Sequence, residues 1–336
     1  MNEFLIKTLG TNAFQVIPLA GDASARRYLR IVRKNESFVL MAWEPFTDDG
    51  QYPFLNVQNH FAKHGVQVPQ VIAKDPKQGL VLLEDLGDLT LERKFWESQN
   101  QELALPYYQQ AIDELIKIHH ITSKDINANC VAFKISFDVD KLLWEMNYGH
   151  EHLIEKLCHI KLSPQTHKEL QTVFVDICTT LHKEPKLICH RDYHSRNIML
   201  KLGKTYIIDF QDARMGPIQY DLVSLVHDSY VDMNEILRQK ILDYYLINAQ
   251  KIIPQGSRDH FNSMLQLQLL QRCFKACGSF ASFYNTREDR RYLKYLKPTI
   301  TKVASALEQY PSYAVFLKVL RDNGLLEHDY MNPTEI

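Results

Sequence analysis

The chain has 336 residues, 45% hydrophobic and 24% charged, the make-up of an ordinary folded protein, which excludes collagen-like, disordered and low-complexity classes. Its 39 Lys and Arg almost cancel its 40 Asp and Glu, so a general binder of nucleic acid or anionic membrane is excluded. Any anion it handles must meet a local cluster of positive groups.

In chain order, Phe14 to Leu19, Arg26 to Arg33 and Ser37 to Trp43 read as short antiparallel strands, separated by turn residues at 20–24 and 34–36. A helix is predicted over Pro53 to Lys63, ending at His64-Gly65, then strands over Gln70 to Lys74 and Gly79 to Glu84. Beyond Gly87 the apolar period becomes helical: Leu103 to Ile121, Asp140 to Leu157, and Gln165 to Leu181 behind Pro164. A strand-rich island, Leu187 to Phe210, interrupts the helices. Further helices are predicted over Tyr220 to Tyr230, Asn234 to Gln250, Arg258 to Tyr284, Arg287 to Gln309 and Ala314 to Arg321. The layout is a small sheet-rich lobe, a hinge and a larger helical lobe, with a cleft between the lobes for a ligand.

No apolar run approaches the length of a membrane span, and Met1 to Lys7 shows no secretory pattern. The six cysteines form no CxxC pair, and Cys273 and Cys277 share a helix face as small buried residues. A reduced, cytoplasmic protein is expected.

The island carries the chemistry. It reads His190-Arg191-Asp192-Tyr193-His194-Ser195-Arg196-Asn197 and, after a turn at Leu202-Gly203, Ile208-Asp209-Phe210. The hairpin brings Asn197 and Asp209 together, and short strands hold the loops that present them. Phosphoryl transfer needs a carboxylate to orient and deprotonate an attacking hydroxyl, oxygen ligands for Mg²⁺, and a cradle for phosphates. Asp192 suits the first task, and Asn197 and Asp209 the second.

This pattern resembles the aminoglycoside phosphotransferase branch of the protein-kinase-like fold, with His194 as the mark that separates it from most protein kinases. Two segments, Gly21-Asp22-Ala23-Ser24-x-Arg26-Arg27-Tyr28-x-Arg30 and Asp209-Phe210-Gln211-Asp212-Ala213-Arg214-x-Gly216-Pro217-x-x-Tyr220-Asp221-Leu222, are similar to the bacterial anomeric kinases of N-acetylmuramate and N-acetylglucosamine. The resemblance implies an α+β, bilobal protein-kinase-like fold, with a small antiparallel-sheet lobe over 1–86 binding nucleotide and a mainly helical lobe over 87–336 binding the acceptor. It also implies ATP and Mg²⁺ as cofactors, a small-molecule sugar as substrate in cell-wall recycling, and a monomer with no nucleic-acid or membrane partner.

On that resemblance Gly21, Asp22 and Ser24 form the loop over the phosphates. A plain hairpin turn is the simpler reading of the same residues. Arg26 and Arg30 share a strand face with Tyr28 and serve either as a solvated charged face or as the cations for the phosphates. The third strand, Ser37 to Glu44, has no basic residue where most relatives carry a lysine, so Arg26 or Arg30 is expected to do part of its work. Backbone groups of Glu84 and Leu86 are expected at adenine. Asp221 is read as a structural partner of the catalytic loop, and one of His119 and His120 as packing against that loop. His194, Arg196 and Arg214 are the acceptor candidates, the arginines for a carboxylate such as the lactyl group of N-acetylmuramate; Arg196 has bracing of the loop as its alternative. An anomeric hydroxyl is more acidic than an ordinary alcohol, which lightens the demand on Asp192. Phosphotransfer to an aminoglycoside or other small alcohol, and a pseudokinase binding module, are the alternative functions.

Overall fold

The unbroken apolar run Leu80–Leu83 is a strand buried on both faces, and the N-terminal sheet is built around it. In the computed structural model, which describes residues 1–19, 26–126, 129–249 and 257–335, the N-terminal part holds two helices and five strands. They are α1 (Asn2–Leu9), β1 (Gln15–Pro18), β2 (Arg27–Arg33), β3 (Glu36–Ala42), α2 (Pro53–Lys63), β4 (Val71–Asp75) and β5 (Leu80–Glu84). The strands form one antiparallel sheet in the order β1-β2-β3-β5-β4. Side chains alternate along each strand. Leu40, Ala42, Leu80 and Leu82 therefore pack on Phe4, Leu5 and Leu9 of α1, while Met41, Val81 and Leu83 join Phe54, Val57 and Phe61 of α2 in the main core. The sequence gives no warning of α1: eight residues contain too few turns for a period to show, although Gly10, at φ 66°, ends it in the left-handed region.

Past Asp88 the chain is mainly helical. Nine helices surround two small ribbons among the described residues: α3 (Leu91–Glu97), α4 (Leu105–Ile116), α5 (Val139–Gly149), α6 (Pro164–His182), α7 (Gln219–Val226), α8 (Glu235–Ala249), α9 (Arg258–Arg287), α10 (Leu296–Leu307) and α11 (Ala314–Asp322). The ribbons pair β6 (Leu187–Cys189) with β9 (Arg214–Gly216), and β7 (Ile198–Lys201) with β8 (Lys204–Ile207). This is the α+β, bilobal arrangement expected from the sequence. The long helices expected over 103–121 and 140–157 are α4 and α5, each continued by a wider turn. The single helix expected over Arg287 to Gln309 is broken, because Glu288 turns left-handed at φ 54° and a tight turn over Arg290–Tyr295 precedes α10. Helix α3 was not expected; Thr90 caps it by accepting the N–H of Arg93.

Helix α9 is 30 residues long and runs through the centre of the helical part. It lies directly on the end of α5: a Cβ on Gly278 would come within 2.6 Å of the Gly149 Cα. All six cysteines are buried and unbridged. Among the described residues no helix is long and apolar enough to cross a membrane.

Candidate active site

The candidate catalytic loop, His190 to Asn197, follows β6 and is fixed by groups buried beneath it. Asp221, at the start of α7, accepts the backbone N–H of His190 at 2.7 Å through one oxygen and that of Arg191 at 2.9 Å through the other. His119 Nε2 donates to the same Asp221 oxygen at 3.1 Å, and its Nδ1 lies 3.0 Å from the Tyr245 hydroxyl, which in turn contacts His120. Burial pulls the His120 pKa down to about 3, so this chain of bonds is built on neutral His120. Asp221 is thus the structural partner of the loop that the sequence implied, and His119 reaches the loop through it. The Tyr193 hydroxyl donates to Ala111 O at 2.6 Å, and Ser195 Oγ donates to Asp228 at 2.6 Å.

These anchors hold two residues in the left-handed region, Arg191 at φ 84° and Asp209 at φ 65°. Neither is glycine, so each carries backbone strain that the surrounding bonds must hold in place. Each lies at a loop that presents one of the candidate carboxylates.

The two carboxylates and the amide do meet. Asn197 Nδ2 donates to Asp192 O at 3.0 Å and stands 3.4 Å from Asp209 Oδ2. The backbone locks the pair of loops further, with Ile208 N–H on Asn197 O at 3.0 Å and His190 Nε2 on Ile208 O at 2.9 Å. Gln211 Nε2 holds the other Asp209 oxygen at 2.9 Å. The Asn197 amide nitrogen faces Asp192 O and the half-exposed Asp209 carboxylate, and its oxygen makes no hydrogen bond among the described residues. Two hard oxygen donors with room for phosphate oxygens and water suit Mg²⁺, which keeps several such ligands.

Asp192 sits among cations. Arg272 Nη2 of α9 is 3.4 Å from Asp192 Oδ1, and Arg191 Nη1 is 3.9 Å from Oδ2 and 3.4 Å from Asp212. Burial pushes the Asp192 carboxyl up, but Lys275, Arg191 and Arg272 outweigh it and hold the group well below the usual carboxylate range. It is therefore ionised, and can accept a hydrogen bond from a hydroxyl. Burial and Arg191 together lower Arg214, which donates to Asp212 O at 3.2 Å and lies over the Phe137 ring.

The nucleotide candidates are placed unequally. Gly21, Asp22 and Ser24 lie outside the described residues. Arg26 stacks on Trp43 at the end of β3 and comes within 4.0 Å of Asp209. A cation thus stands between the sheet and the Asp209 loop although β3 itself supplies none. Arg30 points elsewhere. Its guanidinium pairs with Asp85 at 2.7 and 3.0 Å and with Asp88 at 2.9 and 3.0 Å, so it braces the linker between the lobes and is not brought to Asp209. The Glu84 N–H is spent on Gln70 O at 2.9 Å, and its carboxylate takes Lys201. The Leu86 backbone has no hydrogen-bond partner among the described residues.

Among the acceptor candidates, His194 stands beside Asn197 with its ring 5.1 Å from that of Tyr230, and burial lowers its pKa. Arg196 is not directed at Asp192. It pairs with Glu92 of α3 at 2.9 and 3.1 Å, donates to the Tyr295 hydroxyl and stacks on Tyr230 at 3.8 Å. It also lines a cavity of about 520 Å³ with Arg290 and Tyr292, to which Asp192, Asn197 and Asp209 do not contribute. Bracing of the loop, its alternative reading, describes this placement.

Sequence reasoning overlooked Arg272 and Lys275. Both lie in a run of α9 whose neighbours Leu269, Leu270, Cys273 and Phe274 are buried. Charged residues inside so apolar a helix were the available signal, since Lys and Arg are rarely drawn inward without a counter-charge.

A model of the phosphotransferase enzyme family matches residues 15–254 of the chain. An N-acetylmuramate/N-acetylglucosamine kinase of Neisseria meningitidis serogroup B is 29% identical over 93% of this chain and 92% of its own length. The protein of the same name from Pseudomonas aeruginosa is 27% identical over 89% of this chain and 86% of its own. Among solved structures, an ADP-bound aminoglycoside phosphotransferase superposes with a TM-score of 0.59, covering 94% of this chain and 97% of that one at 19% identity, a likeness of fold.

Proposed function

The chain belongs to the phosphotransferase enzyme family, and we propose that it is a cytoplasmic, monomeric kinase that uses ATP and Mg²⁺ to phosphorylate the anomeric hydroxyl of an amino sugar, N-acetylmuramate or N-acetylglucosamine, in cell-wall recycling. The observation that carries this reading is an ionised Asp192 beside Asn197 and Asp209, in a chain whose relatives bear the name of that sugar kinase. Residues 1–86 bind nucleotide on this reading, and residues 87–336 provide catalysis and the acceptor pocket. Asn197 Oδ1 and Asp209 would hold Mg²⁺, which when bound supplies neutralisation of charge on the transferring phosphate. Asp192 accepts the hydrogen bond of the sugar hydroxyl, orients it and takes its proton as the oxygen attacks. Arg191 and Arg272 keep that carboxylate in place. Arg26 does the phosphate work of the absent strand lysine, Gly21 to Ser24 close over the phosphates, and Leu86 offers its backbone to adenine. Arg30 and Glu84, given as nucleotide residues on sequence, act by holding the linker. His194 shapes the loop, and Arg214 faces the acceptor.

Release of ADP is measured with N-acetylmuramate, N-acetylglucosamine, glucose and kanamycin, and NMR then locates the new phosphate. Turnover with the acetylated sugars and phosphate on C1 is expected; phosphate on C6, or turnover with kanamycin alone, overturns the reading. Chelation by EDTA is expected to stop ADP release, and Mg²⁺ in excess to restore it. Activity that survives thorough chelation removes the role given to Asn197 and Asp209.

A further inference from the structure

Among the described residues, Lys275 acts on Asp192 through its charge but makes no direct bond to it. It lies one turn beyond Arg272 on the same face of α9, and residues three apart on a helix are neighbours. Arg272 is engaged by Asp192 and Ser224, Arg191 by Asp192 and Asp212, and Arg214 by Asp212. The Lys275 ammonium makes no hydrogen bond or ion pair among the described residues, although the side chain is partly buried. The carboxylate acting on it most strongly, Asp192, is shared with Arg272 and Arg191, so a partly buried ammonium there is costly to hold charged, and an anion on a ligand would relieve that cost.

The charges acting on Lys275 most strongly are Arg272 of the same helix, Asp192 and Arg191 of the catalytic loop, and Glu145 of α5. Glu145 Oε2 is engaged by Tyr220 and Gln271, while Oε1 is buried without a hydrogen bond among the described residues and does not pair with Lys275. None of these groups belongs to the Asn197–Asp209 pair, and Arg272, three residues earlier on the same helix face, meets Asp192 at 3.4 Å, so Lys275 lies with Arg272 on the α9 side of the loop. Lys141 of α5 also comes near Arg191 and Arg214. Five cations, Lys141, Arg191, Arg214, Arg272 and Lys275, thus gather around three carboxylates, Asp192, Asp212 and Glu145.

We propose that Lys275 is a specificity-determining residue: its ammonium binds a carboxylate carried by the acceptor, with the guanidinium of Arg214 or Arg191 as the neighbouring donor, so that the site favours an acidic sugar. This rests on the sugar-kinase reading. It replaces Arg196, which is tied to Glu92, as the partner of such a group. A strongly basic acceptor is disfavoured by the same charges. Burial and Arg272 push the Lys275 pKa down to about 8 against the pull of Asp192. The ammonium that a carboxylate needs is therefore present below that pH and is lost as the pH rises through it.

The test compares wild type, Lys275→Met and Lys275→Arg on N-acetylmuramate, which has a carboxylate, and N-acetylglucosamine, which lacks it. In Lys275→Met the ratio of kcat/KM values, acidic over neutral sugar, is expected to fall by about thirtyfold, chiefly through KM for the acidic sugar. Lys275→Arg is expected to recover most of it. Wild-type KM for N-acetylmuramate is expected to rise as the pH passes about 8, and to lose that rise in Lys275→Met. The melting temperature of Lys275→Met is expected to change by no more than a few degrees, because the repulsion of Arg272 is removed along with the attraction of Asp192. An unchanged ratio in a variant of a wild type active on both sugars overturns this inference alone, as does a wild type active on N-acetylglucosamine only. Equal loss on both sugars also overturns it, pointing to Asp192 or the transferred phosphate as the anion that Lys275 serves. A wild type that turns over neither sugar removes the sugar-kinase reading and this inference together.

Discussion

Asp192→Asn is expected to lower kcat by about a thousandfold, since a positioned base contributes on the order of 10²–10⁴ to a proton-transfer step. The change keeps the shape of the side chain and removes its charge and basicity. An amide can still accept a hydrogen bond from the sugar hydroxyl but cannot take its proton. The loop is expected to stay folded, because its anchors reach Asp221, Asp228 and Ala111, and none passes through the Asp192 carboxylate. Loss of that charge leaves Arg191, Arg272 and Lys275 facing an uncharged group, so a drop of a few degrees in melting temperature is expected with a normal circular dichroism spectrum. Activity within about tenfold of wild type in a folded variant would remove Asp192 from the chemistry. KM for the sugar is expected to move far less than kcat, since the proton is transferred in the transition state.

Much of this was legible in the sequence because it is local. The period of two in Phe14 to Glu84 and the apolar run at Leu80 gave the sheet, and the spacing of Asp192, Asn197 and Asp209 within one hairpin gave the meeting of their side chains. A turn at Leu202-Gly203, with φ of 49° and 77°, fixes the register of that hairpin through residues adjacent in sequence. What escaped depends on distant partners. Arg30 and Arg26 look alike on alternation, and only the position of Asp85 and Asp88 sends one to the linker while the other reaches Asp209. Arg196 likewise sits within the motif but is claimed by Glu92 of a seven-residue helix too short to read from its period. Lys275 is 83 positions from Asp192, and nothing short of the packing of α9 over the loop could show that its charge bears on that carboxylate.

Asp221→Ala is expected to be the most destabilising single change near the site, costing about 3–5 kcal/mol. The side chain is fully buried and receives three donors: His190 N–H at 2.7 Å, Arg191 N–H at 2.9 Å and His119 Nε2 at 3.1 Å. Alanine leaves all three without an acceptor in a place water does not reach, and each buried unsatisfied donor costs about 1–3 kcal/mol. Two of these donors also hold Arg191 at φ 84°, so the strained loop relaxes and carries Asp192 with it. Denaturant unfolding is therefore expected to show a lower midpoint, and kcat to fall more than a hundredfold at temperatures where the variant is still folded. Asp221→Asn separates the two effects. With its oxygen toward His190 and His119 it keeps two bonds, but its amide then meets the Arg191 N–H, donor against donor. Stability should recover by about half while activity stays low, because the bond that fixes the residue before Asp192 is the one still missing. An alanine variant that loses less than about 1 kcal/mol, or an asparagine variant with normal kcat, would show that the loop is held by something other than Asp221.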